Sequence, residues 1–227
     1  MPAELAKALS DYGRLAARYD HYTRRINAIR LRAIDALELQ PGETVLDVGC
    51  GTGYCFAPIL RRIGAGGRLI GFDPSPELLA VARARVETAG WRNVTLLQAS
   101  AESAWIDDAR PQALLFSYVH DILQSEAALE HLLAWAAPGA RVAITSTRLW
   151  PRSWWPLAPL VNAYLWKTHE RYITNREENF DRPWTKLAPR LEDFRVQGFW
   201  PGWRYVARGR LAQDAPASRS ARGAGRL

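Results

Sequence analysis

The chain has 227 residues, 48% of them hydrophobic and 23% charged, with a formal net charge of +7. That length and balance suit one α/β domain whose core needs no disulfide or metal staple, and they exclude disordered, collagen-like and small disulfide-framed proteins. The two cysteines, Cys50 and Cys55, point to a reducing compartment, and no group of Cys and His has metal-ligand spacing, so no metal is expected.

Residues 3–18 and 24–39 read as two N-terminal helices, the second with Ile26, Ile29, Ile34 and Leu37 at helical spacing. Met1 to Ser10 mixes Glu4 and Lys7 and lacks the pattern of a secretion signal, which predicts a cytoplasmic protein without a cleaved leader. Apolar Val45, Leu46 and Val48 then suit a strand covered on both faces. Gly49, Gly51 and Gly53 follow at alternate positions, where missing Cβ atoms let backbone N–H groups approach a ligand. The spacing is not the G-x-G-x-x-G of dinucleotide sites. Asp47, inside the run, would repel phosphate and attract a cationic amino-acid moiety.

A second buried strand, Arg68 to Phe72, ends in Asp73, about 20 residues beyond the turn, where such folds place an acid on a ribose hydroxyl pair. Ser75, Pro76 and Glu77 form a helix start. Val94 to Gln98 is a third strand followed by Ala99-Ser100-Ala101-Glu102, Ala113 to Tyr118 a fourth, and Arg141 to Thr147 a fifth after Pro138-Gly139. Alternating strands and helices imply right-handed crossovers and a parallel sheet. Leu191 to Trp200 and Trp203 to Arg210 look like a closing hairpin turned by Pro201-Gly202, and the Ala, Ser, Arg and Gly composition from Ala212 onward predicts a disordered basic tail. The expected organisation is one domain over 1–211, with an N-terminal helical cap (1–40), an insertion before the hairpin (148–190), and the tail (212–227).

The run from Val45 to Gly53, with Asp73 and the alternation around it, closely resembles class I S-adenosylmethionine-dependent methyltransferases over residues 12–147. The resemblance implies a Rossmann-like seven-stranded sheet, mostly parallel with an antiparallel last strand, and S-adenosyl-L-methionine as cofactor. It implies that Asp47, Gly49, Gly51 and Gly53 surround the cofactor, that Asp73 binds its ribose, and that Pro74 packs near its adenine. Ser100, Ala101 and Glu102 stand where relatives commonly carry a G-D-A-E type sequence; Ser100 replaces the aspartate that usually receives the adenine amino group, and its hydroxyl accepts more weakly. Ser117, near the end of the fourth strand, completes the implied cofactor set. Tyr19 and Asp20 resemble a Y-D pair of ubiquinone and menaquinone C-methyltransferases and bacterial phospholipid N-methyltransferases; Tyr19 would touch the cofactor, with Tyr12 and Tyr22 as alternatives.

Methyl transfer from a sulfonium is an in-line displacement, so the enzyme must hold a nucleophile about 3–3.5 Å from the methyl carbon and exclude water. A phenol or acidic carbon also benefits from a general base, and His120, with an unperturbed pKa of about 6.5, is the best-placed catalytic residue; a pocket-wall or capping role is its alternative.

Charge points to the acceptor. Residues 1–140 hold 14 Lys/Arg against 16 Asp/Glu, whereas 141–227 hold 16 against 7 and seven of the ten tryptophans. Basic residues among Trp and Tyr fit an anionic membrane surface met peripherally. They also fit single-stranded nucleic acid, but the fourth strand lacks the D/N-P-P-aromatic motif of base-amine methyltransferases, which disfavours that partner. Leu149 to Trp166 is apolar but broken by Pro151, Arg152, Pro156 and Pro159, so it is expected to lie in an interface or lid the substrate pocket rather than span a bilayer. His169, Glu170, Arg171 and Tyr172 beyond it either grip an acidic head group or form a solvated face. The partner expected is a small hydrophobic or lipid acceptor, either a phospholipid amine or a quinone- or polyketide-like ring. A cofactor-binding regulator, a non-methylating enzyme and an RNA methyltransferase are the alternatives.

Overall fold

This computed structural model describes residues 27–148, 159–160, 163, 181–199 and 203–213. The expectations placed on residues 3–18, on Tyr12, Tyr19 and Tyr22, on most of the 148–190 insertion with His169 to Tyr172, on Pro201-Gly202 and on the tail beyond 213 lie outside those residues.

Helix α1 (Asn27–Ala36) precedes strand β1 (Thr44–Val48), α2 (Phe56–Ile63), β2 (Arg68–Asp73), α3 (Pro76–Ala89) and β3 (Val94–Gln98). Then come β4 (Ala113–Ser117), α4 (His120–Gln124), α5 (Glu126–Trp135), β5 (Arg141–Thr147), a 3-10 turn (Ala188–Arg190), β6 (Glu192–Phe199) and β7 (Arg204–Arg210). They form one sheet in the order β3-β2-β1-β4-β5-β7-β6. Strands β1 to β5 pair in parallel, and β7 inserts antiparallel between β5 and β6. This is the sheet the sequence led us to expect.

The apolar runs reflect burial on both faces. Val45 and Leu69 pack under α1, α2 and α3, while Leu46, Val48, Ile70 and Phe72 pack on the other side with Leu129, Leu132 and Trp135 of α5. The helix start expected at Ser75 is formed: its hydroxyl accepts the Leu78 N–H at 3.2 Å, and Pro76 opens the helix.

Among the boundaries that differ from expectation, two have a local cause in the backbone. Strand β4 stops at Ser117 because Tyr118 turns to φ 62, outside the strand region. Helix α1 ends at Ala36, not residue 39, since the Leu37 and Glu38 amides bond back three residues and Glu38 takes φ 51.

The strand order reverses between β1 and β4, and in open α/β sheets the crevice at that point, beyond the carboxyl ends of the strands, is where ligands sit.

Candidate active site

The glycine turn leaves β1 at that crevice. The Cys50 amide bonds to the Phe72 carbonyl at 2.8 Å, and the Gly53 amide to the Cys50 carbonyl at 3.0 Å. Gly49, Gly51 and Gly53 all have positive φ (60°, 54° and 72°), which disfavours any side chain there. Only Gly51 combines this with open space: a Cβ on Gly49 would lie 2.6 Å from Val119 Cγ1 and one on Gly53 2.5 Å from the Phe56 ring, whereas one on Gly51 meets nothing within 4 Å.

Two acids converge on the turn. Asp73 is 7% exposed; its Oδ2 accepts the Gly51 N–H at 3.0 Å and its Oδ1 the Ser75 N–H at 2.9 Å. Burial pushes its carboxyl pKa up to about 6 against the pull of those two N–H groups, with Asp121 adding repulsion. Asp47 is 2% exposed, its Oδ2 has no hydrogen-bond partner, and burial pushes its pKa up to about 7; Arg30 opposes that rise and Asp73 adds to it. Burial likewise pushes the Cys55 thiol up to about 12 and Cys50 well above its ordinary value, so neither is a thiolate at neutral pH.

The other expected residues sit around these. Pro74 is half-buried in the β2–α3 turn. Ser100 closes a small turn on Ser103, the two hydroxyls lying 3.1 Å apart; Ala101 is buried, and exposed Glu102 accepts the Ser125 hydroxyl at 3.1 Å. Ser117 has a buried hydroxyl without a hydrogen bond, and half-buried His120 is the first residue of α4.

Three residues not singled out as site candidates from the sequence pack around this region. Arg30 of α1 is 5% exposed, with its guanidinium carbon 5.0 Å from the Tyr54 ring centroid and 5.4 Å from that of Tyr118. The available signal was a charge on the apolar stripe of α1, between Ile29 and Ala33. Further out, Tyr205 is fully buried with an unbonded hydroxyl, edge-on to Trp184 at 4.6 Å. Trp184 belongs to a segment held over α4, where Gln124 Nε2 donates to the Pro183 carbonyl and Lys186 Nζ to the Gln124 carbonyl.

Comparison with known proteins agrees with this geometry. Residues 45–139, from β1 to the turn before β5, match the family model described as "Methyltransferase domain". That segment is similar to methyltransferase domains. The methyltransferase domain is similar to aklanonic acid methyltransferase DauC of Streptomyces sp. (38% identity over 72 residues, 32% of this chain and 33% of that protein). It is also similar to 2-phytyl-1,4-naphtoquinone methyltransferase of Thermosynechococcus vestitus (33% over 113 residues, 49% of each chain). The chain thus spans a third to a half of the curated relatives it matches first. Among solved structures, geranyl diphosphate C-methyltransferase from Streptomyces coelicolor, in complex with S-adenosyl-L-homocysteine, shares the fold at TM-score 0.65 and 15% identity, covering 82% of this chain and 76% of that one. Among the described residues, no helix is long and apolar enough to cross a membrane, and no group of three metal-binding side chains occurs.

Proposed function

We propose that this methyltransferase domain transfers a methyl group from S-adenosylmethionine to a small hydrophobic acceptor of the quinone or polyketide type. The observation that carries the cofactor half is Asp47: an unpartnered buried carboxylate beside a glycine turn fits an ammonium-bearing ligand. When bound, S-adenosylmethionine supplies a methyl group on a sulfonium, ready for displacement. The glycine turn gives close backbone approach, with Gly51 at its open position. Asp73 holds the Gly51 amide and keeps lone pairs for a ribose hydroxyl pair, while Pro74, Ser100, Ala101 and Glu102 flank the adenine side and Ser117 closes the floor between β1 and β4.

The acceptor half is supported by the aromatic wall beyond β4 and β5. Tyr118 and Trp184, the latter backed by buried Tyr205, offer ring faces to a planar apolar molecule, and both relatives named above carry such acceptors in their names. His120, at the carboxyl end of β4, receives the acceptor proton; an acceptor that deprotonates by itself would not need it. Methyl-labelled S-adenosylmethionine, incubated with the protein and cell extracts, is expected to label an apolar aromatic compound. Label in phospholipid or RNA would replace the acceptor class, and tight cofactor binding with no labelled product would mark a regulator.

Asp73→Ala is expected to weaken S-adenosylhomocysteine binding by about 1–3 kcal/mol, the cost of an unpaired ligand hydroxyl plus a loosened Gly51 amide. Unchanged affinity by calorimetry would remove Asp73 from the cofactor site.

Contact with an anionic membrane remains part of the proposal in a narrower form. Arg141 pairs with Glu43, Arg190 with Glu126, and Arg208 and Arg210 with Glu38, so part of the C-terminal positive charge faces acids of the chain itself. If the remaining basic and tryptophan residues engage lipid, the protein co-sediments with phosphatidylglycerol vesicles and is released as salt shortens the Debye length. Binding that ignores lipid charge would count against it.

A further inference from the structure

We infer that Arg148 selects an acidic acceptor: its guanidinium receives a carboxylate, or an ionised enol or phenol, on the aromatic molecule that lies beyond β4 and β5. The inference rests on the acceptor reading above and narrows it from any planar apolar ring to one that carries an anionic oxygen.

Arg148 directly follows β5. Ser117, the last residue of β4, pairs with Thr145, so at strand rise Arg148 stands about 10 Å beyond the end of β4. His120 leaves β4 at the same end of the sheet. The Arg148 backbone is fixed there, its N–H donating to the Trp203 carbonyl at 2.7 Å just before β7.

The side chain has a prepared seat. Its guanidinium carbon lies 5.8 Å from the Trp184 ring centroid. Its Nη2 lies 2.8 Å from where a Cβ on Gly198 would be, so β6 has room for the guanidinium because residue 198 carries no side chain. Gly198 pairs with Tyr205, whose buried hydroxyl makes no hydrogen bond and so takes none of the arginine's donors. The charge still reaches that phenol, opposing the rise that burial forces on its pKa. Arg148 is thus half-buried, between a glycine and an indole at the mouth of the crevice.

Stacking engages the face of a guanidinium and not its in-plane N–H donors, whose fork matches an anion with two oxygens. Half-buried beside Trp184 and Tyr205, the charge is screened less than in water, and a hydrogen bond between ions is about twice as strong as a neutral one. An anionic oxygen is therefore favoured over a carbonyl, and an amine head group is repelled.

The test uses three probes of one ring size, 2-naphthoate, 2-naphthamide and 2-(aminomethyl)naphthalene, titrated by ligand-observed NMR into the protein with S-adenosylhomocysteine present. The wild-type protein is expected to bind naphthoate about 10–100-fold more tightly than naphthamide, the range of a hydrogen-bonded charged contact, and the amine most weakly. Arg148→Met is expected to remove that preference and leave naphthamide within about threefold of wild type; Arg148→Lys retains part of it, having charge without the fork. Arg195→Met removes the same charge from the opposite face of β6 and is expected to keep the preference whole. Equal binding of naphthoate and naphthamide by the wild-type protein overturns the inference without any variant. So does tightest binding of the amine, a preference that survives Arg148→Met, or one that Arg195→Met lowers as much, the sign of diffuse attraction. Should none of the three probes bind, the aromatic-acceptor reading itself fails, whereas binding of naphthamide without a preference for naphthoate overturns the role of Arg148 alone.

Discussion

Replacing Asp47 by asparagine is expected to stabilise the ligand-free protein at pH 8 while weakening its hold on S-adenosylhomocysteine. The carboxyl is 2% exposed and burial pushes its pKa up to about 7, against about 4 in an unfolded chain. Between those values the folded state binds the extra proton, so stability falls as pH rises, by at most about 1.4 kcal/mol per pH unit for one group, and the loss is complete above pH 7. Asp73, raised to about 6, adds a loss of the same sign over the lower part of that window, while the two thiols stay protonated and contribute nothing there. Asparagine keeps the shape and removes the charge, so denaturant unfolding at pH 8 should show a gain of about 1–3 kcal/mol, shrinking towards pH 4. The ligand's ammonium needs the ionised form, so wild-type affinity should decline as pH drops below 7, and Asp47→Asn should lose about 10–100-fold at pH 8. A variant that binds normally, or unfolds more easily at pH 8, would mean that the charge is satisfied in another way.

The second large effect concerns the turn and separates its glycines. Gly53→Ala places a methyl group 2.5 Å from Phe56 Cε2 at a φ of 72°. Phe56 is fully buried, and its ring also lies 3.2 Å from where a Cβ on Gly71 would be, so it has little room to yield. Backbone strain and overpacking together should cost about 2–4 kcal/mol, read as a lower denaturation midpoint. Gly51→Ala, at φ 54° with open space around it, should cost about 1–2 kcal/mol from backbone strain and lose cofactor affinity out of proportion. Equal stability losses in the two variants would overturn the assignment of Gly51 as the ligand-facing position.

Much of the frame was legible because buried parallel strands must be apolar on both faces. Val94 to Gln98 and Arg141 to Thr147 fall on β3 and β5 as read, and Ser75-Pro76 marks the start of α3 because its cap chemistry is local. The glycine triplet, Asp47 and Asp73 were legible for the same reason: a tight turn and an acid at a strand end are fixed by neighbours in the chain. Arg30 was not. On the helix its position belongs to the apolar stripe, and nothing nearby in sequence says that its charge faces Tyr54, Tyr118 and Asp47, which lie 24, 88 and 17 residues away. The aromatic pair Trp184 and Tyr205 meets only because β7 inserts beside β5, and the tether between Asp73 and Gly51 forms only when β2 pairs with β1.

By itself, then, the sequence determined the strand and helix alternation and the glycine turn, since short-range sterics and burial periodicity write those into consecutive residues; the cofactor class came from the resemblance that those residues carry. Only the tertiary structure decided which charges are buried without partners, because desolvation and hydrogen-bond satisfaction depend on what packs across the sheet. That is why Asp47 emerges as a poised carboxylate and Arg30 as its cationic counterpart.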